Sequence, residues 1–172
     1  MYPYNRNTQL YSTPIEAKER NRPKPPLSTD RRLRELLLLA RDEAALLERK
    51  YAALLDAETL SGAQDILRTM EIDQKKHQRI LRELLFEIFH ESFEEEQDFV
   101  QAVPLPAQLP EEMVEELLFT EMDDISFFRS LLAAMEEEDL WHLLFEILTD
   151  KQNHTAALNH LYAKYFAKTS GN

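Results

Sequence analysis

The chain has 172 residues, with 20 Lys and Arg against 32 Asp and Glu, for a formal net charge of −12. It has two glycines and no cysteine. This excludes disulfide frameworks, thiolate-held zinc or iron–sulfur clusters and cysteine nucleophiles. Gly171 is next to the final residue, so only Gly62 is available inside a folded body. Glycine-rich phosphate loops and dinucleotide fingerprints are therefore excluded, and tight β-hairpins are disfavoured. One helical domain is the class that remains.

Residues 1–34 carry eight basic and three acidic residues, a net of +5, while the rest carries −17. An acidic body repels phosphates, so nucleic acid is not an expected partner. No apolar run reaches the ~18 residues of a membrane span. The N-terminal sequence MYPYNRNTQLYSTP has no apolar signal core. A soluble, cytoplasmic protein is the expectation.

In chain order, residues 1–27 are rich in Pro, Tyr, Asn and Arg and lack apolar periodicity. They read as a disordered arm, extended near Arg22-Pro-Lys-Pro-Pro. A bundle is expected over 28–168, followed by a short tail, 169–172. Ser28, Thr29 and Asp30 offer caps for a first helix whose apolar positions include Leu33, Leu37, Ala40, Leu47, Tyr51 and Leu54. A second helix is expected from near Ser61, with Gln64 completing a capping box. It carries Leu67, Met70, His77, Leu81 and Leu84 and should end among Glu94–Glu96. Pro104 and Pro106 mark a linker over 97–109, and Pro110 suits the first position of a third helix. That helix carries Met113, Leu117, Glu121, Phe128 and Leu131. A turn at 136–139 precedes a fourth helix with Leu140, Leu144, Ile147, His154 and Leu158, fraying after Lys168.

Short turns make the first and second helices antiparallel, and likewise the third and fourth. A dozen extended linker residues at ~3.3 Å each span about 40 Å, and so does a helix of ~27 residues. The linker can therefore run the length of the bundle and set the second and third helices parallel, with one long crossover. An internal repeat at an offset of 77 supports two related hairpins. It lays Asp73 over Asp150, His77 over His154, Tyr51 over Phe128 and Leu54 over Leu131.

On these residues the chain resembles the ferritin-like superfamily, in particular small bacterial rubrerythrin-like domains without a rubredoxin module. Some of those, in spore-forming bacteria, carry a similar Tyr/Pro/Asn-rich N-terminal arm. The resemblance covers residues 29–168 and implies an all-α, ferritin-like four-helix bundle. It further implies iron oxidation, peroxide reduction or metal storage at two iron or manganese ions. The family takes one Glu from each of the first and third helices and a Glu-x-x-His from the second and fourth. His77, His154 and Glu121 fall in register. Gln74 and Lys151 replace the two motif glutamates, and Ala44 lies where the repeat places the first-helix Glu, with Glu43 one position early.

Lys151 would repel a metal and stand in for its charge, and Gln74 is a weak ligand for iron or manganese. The resulting expectation is a degenerate di-metal site, either empty or holding a weakly bound iron or manganese ion. Its candidate ligands are His77, Glu121, His154, Glu43 and Gln74, with Asp73 and Asp150 as reserve carboxylates. No catalytic residue is assigned. The alternatives are a di-metal redox protein and an acidic helical scaffold for protein partners. Homodimerisation and a protein partner for the N-terminal arm complete the expectations.

Overall fold

The computed structural model describes residues 27–91, 104–135 and 137–167. Among these there is no strand, and the all-α class anticipated from composition is the observed one. Four long helices follow in order: α1 (Leu27–Leu55), α2 (Gln64–Phe89), α3 (Pro110–Ala134) and α4 (Glu138–Tyr165). A 3-10 segment, Glu58–Ala63, joins α1 to α2. The expected arm other than Leu27, residues 92–103 of the α2–α3 connection, and the tail lie outside the described residues. No described helix is long and apolar enough to cross a membrane.

Two compact units divide between Leu33 and Arg34. The described part of the first is the opening of α1, Leu27–Leu33. Ser28, Thr29 and Asp30 lie inside that helix rather than ahead of it. The second unit contains the remainder of α1 and the other three helices.

Other boundaries also differ from the periodicity. Ser61 falls within the 3-10 segment, and Gln64 closes the turn by donating from Nε2 to the Leu55 carbonyl at 2.8 Å. Helix α2 stops at Phe89, short of the acidic run. There His90 turns left-handed (φ 57°), and its N–H meets the Phe86 carbonyl at 2.8 Å. That backbone terminus satisfies carbonyls that would otherwise be orphaned. Arg34 then pairs with Glu91 just beyond it, with Nη2 donating to Oε2 at 2.9 Å. Pro110 does open α3, and Glu112 reaches back to accept the Leu109 N–H at 3.2 Å. Helix α4 begins at Glu138, two residues before Leu140, and ends at Tyr165, before Lys168.

Side-chain pairings fix the helix directions. Arg34 with Glu91 and Glu48 with Gln78 make α1 and α2 antiparallel. Asp73 with His154 and Lys76 with Glu146 do the same for α2 and α4. Helices α3 and α4 share an apolar cluster in which Met113, Val114 and Leu117 meet Leu158 and Leu161, while Asp124 meets Lys151. They too are antiparallel, so α2 and α3 point the same way.

All four helices contribute to that cluster. Leu47, Tyr51 and Leu54 come from α1, Leu67 and Met70 from α2, and Leu60 and Ala63 from the 3-10 segment. Burying leucines of this kind stabilises by roughly 1.5–3 kcal/mol each. Beside the cluster, the core is interrupted by a layer of polar side chains.

Candidate functional site

Apolar spacing on α2, α3 and α4 turns Gln74, His77, Glu121, Lys151 and His154 into the core along with the leucines around them. None is more than 3% exposed. Buried polar groups must find partners, and here they find one another.

Glu121, with no exposure, is the hub. Its Oε1 accepts from Tyr51 Oη at 2.7 Å and from Gln74 Nε2 at 3.0 Å, and His154 Nδ1 lies 3.2 Å away. Its Oε2 is ion-paired with Lys151 Nζ at 3.0 Å. Lys151 Nζ is also 2.6 Å from Asp124 Oδ2. Burial acts to raise the Glu121 pKa, but Lys151 and the hydrogen bonds outweigh it and hold the carboxyl at about 2. Burial likewise works against the Lys151 charge, yet Glu121 and Asp124 raise its pKa. The pair is ionised.

The two histidines are tied across the helices in a reciprocal pattern. His77 Nε2 donates to Asp150 Oδ2 at 2.9 Å, and His154 Nε2 donates to Asp73 Oδ2 at 3.1 Å. Each aspartate lies four residues before the other histidine, so the 77-residue repeat appears in space as a pseudo-twofold exchange. His77 Nδ1 faces Gln74 Oε1 at 3.3 Å. Burial lowers the His77 pKa, against the hydrogen bond to Asp150. At the outer edge, Lys76 Nζ bridges Asp150 at 2.7 Å, Asp73 at 3.3 Å and Glu146 at 3.3 Å. Although burial opposes it, contact with His77 and Lys76 holds Asp150 at about 2.

The structure therefore brings His77, Gln74, Glu121, Lys151 and His154 together. Glu43 reaches only the edge of the group. Burial, followed by the Asp124 charge, raises its pKa. Asp124 is raised too, by burial acting against Lys151. Ala44, where the repeat calls for the first-helix Glu, is buried and brings no acid. Asp73 and Asp150 each bind the histidine of the opposite repeat. His90, His142 and His160 are exposed, in keeping with their lack of a partner in the repeat.

The donor set does not fit the two metal ions that the resemblance implies. Each histidine nitrogen already faces a protein group, Gln74 turns its amide N–H₂ towards Glu121, and a lysine ammonium sits against the central carboxylate. Among the described residues, no group of three or more His, Asp or Glu side chains is arranged to hold a metal ion. Within the cluster the buried charges are paired across helices.

Sequence reasoning missed Asp124, Lys76 and the Tyr51–Glu121 hydrogen bond. Asp124 had a signal: it lies three residues after Glu121, on the same helix face. Comparison with protein-family models, curated proteins and solved structures found no match.

Proposed function

We propose that this chain is a ferritin-like helical-bundle protein whose di-metal centre has degenerated into an internally paired polar layer. It acts without redox catalysis, as an acidic structural or interaction module. The observation that carries this reading is the Lys151 ammonium, held between Glu121 and Asp124 where a metal's positive charge would otherwise be needed. Three features support the ferritin-like part: the parallel direction of α2 and α3, the 77-residue repeat, and the histidine pair with ring centroids 6.0 Å apart. The likeness of the N-terminal arm to those of spore-forming bacteria adds a spore setting to the proposal, on analogy alone.

Elemental analysis of the full chain, purified with iron and manganese supplied, tests it. The proposal expects no stoichiometric metal. About two ions per chain would instead favour a rubrerythrin-like redox protein, since that chemistry needs a paired centre. For the interaction role, pull-downs with and without residues 1–27 should recover different partners. An unchanged set would remove the arm from the proposal.

A further inference from the structure

We propose that the outer groove between α3 and α4 docks one amphipathic helix of a partner protein, with lysine or arginine flanking that helix's apolar stripe. This deepens the interaction role proposed above and rests on it.

Two apolar stripes define the groove. Leu118, Met122 and Ile125 recur at i, i+4 and i+7 on α3, and Trp141, Phe145 and Leu148 recur in the same way on α4. Such spacing keeps each set on one face of its helix. The other flank of α3 is turned to α1, where Glu116 pairs with Lys50 at 2.7 Å. The other flank of α4 is turned to α2, where Asp150 pairs with Lys76 at 2.7 Å. The two stripes therefore lie on the facing flanks of α3 and α4, along the outside of that helix pair. Met122 is 48% and Phe145 45% exposed, with Phe119 beside them at 58%. Trp141 stacks on Phe145, with ring centroids 4.9 Å apart. Leu118 and Ile125 are half-buried and Leu148 is buried, so the groove has a floor as well as a rim.

The stripes follow one another along the groove. Asp124 meets Lys151 and the helices are antiparallel, so Leu148 is level with Phe127 and Trp141 with Ala134. The apolar line thus runs from Leu118 to the level of Ala134, about 24 Å along the helix axis. A helix of ~16 residues has that length, and apolar anchors at helical spacing would meet the line throughout. Single exposed apolar side chains need no explanation, but a continuous line of them marks a contact surface.

Charge selects the occupant. Glu111 and Glu115 are exposed at one end of the line, Glu138 is exposed at the other, and Asp123 lies one turn from Phe119. Arg129 is the single base of α3. A basic helix is attracted at both ends. A second copy of this chain on a twofold axis would set acid against acid there, and an anionic lipid surface would be repelled.

Trp141 is the chain's only tryptophan, so its fluorescence reports on the groove. The probe is a tryptophan-free peptide of ~16 residues with leucine at the anchor positions and alanine and lysine elsewhere. Its control has glutamate in place of every lysine. Titrated into the native full chain, the lysine peptide should change Trp141 emission and saturate at one peptide per chain, and the glutamate peptide should not. Phe145→Ser and Met122→Ser should each weaken binding at least ~10-fold. Ile72→Ser, which removes a 56% exposed side chain from α2, should leave it unchanged. Arg129→Glu should strengthen it.

Equal binding of the two peptides overturns the proposal, and so does undiminished binding by Phe145→Ser and Met122→Ser. A native chain that self-associates, with Trp141 emission changing on dilution, makes a second copy the occupant and overturns it too. Where Phe145→Ser does not fold, Met122→Ser on the other helix decides alone. A metal-free native chain that binds neither peptide overturns the groove and leaves the degenerate-centre reading standing. Two ions per chain would instead defeat that reading.

Discussion

Lys151 and Asp124 meet at 2.6 Å, where their side chains are 2% and 8% exposed. Removing one partner of such a pair leaves an uncompensated buried charge. Lys151→Met, purified in chelator, should lose about 3–5 kcal/mol of stability in denaturant unfolding. A loss below ~1 kcal/mol would mean that solvent reaches the carboxylates and that the layer is not sealed.

Acid should unfold the protein through two identified groups. Glu121 and Asp150 have folded pKa values of about 2, below ordinary values of 4.5 and 3.8. Groups depressed in this way stabilise fully above their unfolded pKa, and the contribution is lost as pH falls through the folded one. Stability should therefore decline as pH drops from the ordinary carboxyl range towards 2. In Glu121→Gln that decline should be shallower and the stability at neutral pH lower. An acid limb unchanged by this substitution would remove Glu121 from the explanation.

The Glu43–Asp124 pair has the opposite sign. Both pKa values are raised, so the contribution is complete at low pH and lost as pH rises through the elevated values. Glu43→Gln, which removes one of the two carboxyls, should hold or increase stability above the ordinary carboxyl range and flatten the profile there. A marked loss of stability at pH 8 would show that the Glu43 charge is needed.

The exchanged histidine–aspartate pairs should behave as coupled units. A double-mutant cycle of His77→Gln and Asp150→Asn should show a coupling of roughly 0.5–3 kcal/mol. The cycle for His154 and Asp73 should give a similar figure if the pseudo-twofold holds energetically. Additive losses in both cycles would argue that the pairs are incidental.

Gly62 provides a control away from the polar layer. A Cβ built there would lie 2.8 Å from Tyr165 Oη. Gly62→Ala should therefore cost stability, by up to ~1 kcal/mol, and Tyr165→Phe in the same chain should recover most of it. If the second change brings no recovery, the cost is backbone rather than contact.

Much of the fold was legible in the sequence because helical periodicity depends on burial, and burial dominates here. Leu67 on α2, Leu117 on α3 and Leu158 on α4 each belong to a helically spaced apolar stripe and are buried. Pro110 marked the start of α3 because a missing N–H costs nothing at that position. Helix ends were less readable. A left-handed His90 is a backbone choice that apolar spacing does not encode, and the 3-10 segment around Gly62 has no periodic signature. In the site, His77 and His154 were found through the repeat, and Glu121 through the family resemblance. Asp124 and Lys76 were not, because a charged residue next to a helix face reads as solvated until a partner on another helix is known.

The central claim is that protein cations, and not metal ions, balance this buried charge. Metal content and thermal unfolding of the native chain, purified with iron and manganese supplied and then measured with and without a strong chelator, test it most directly. The account predicts no stoichiometric iron or manganese and the same Tm in both samples. About two ions per chain, with a Tm that falls in chelator, would contradict it.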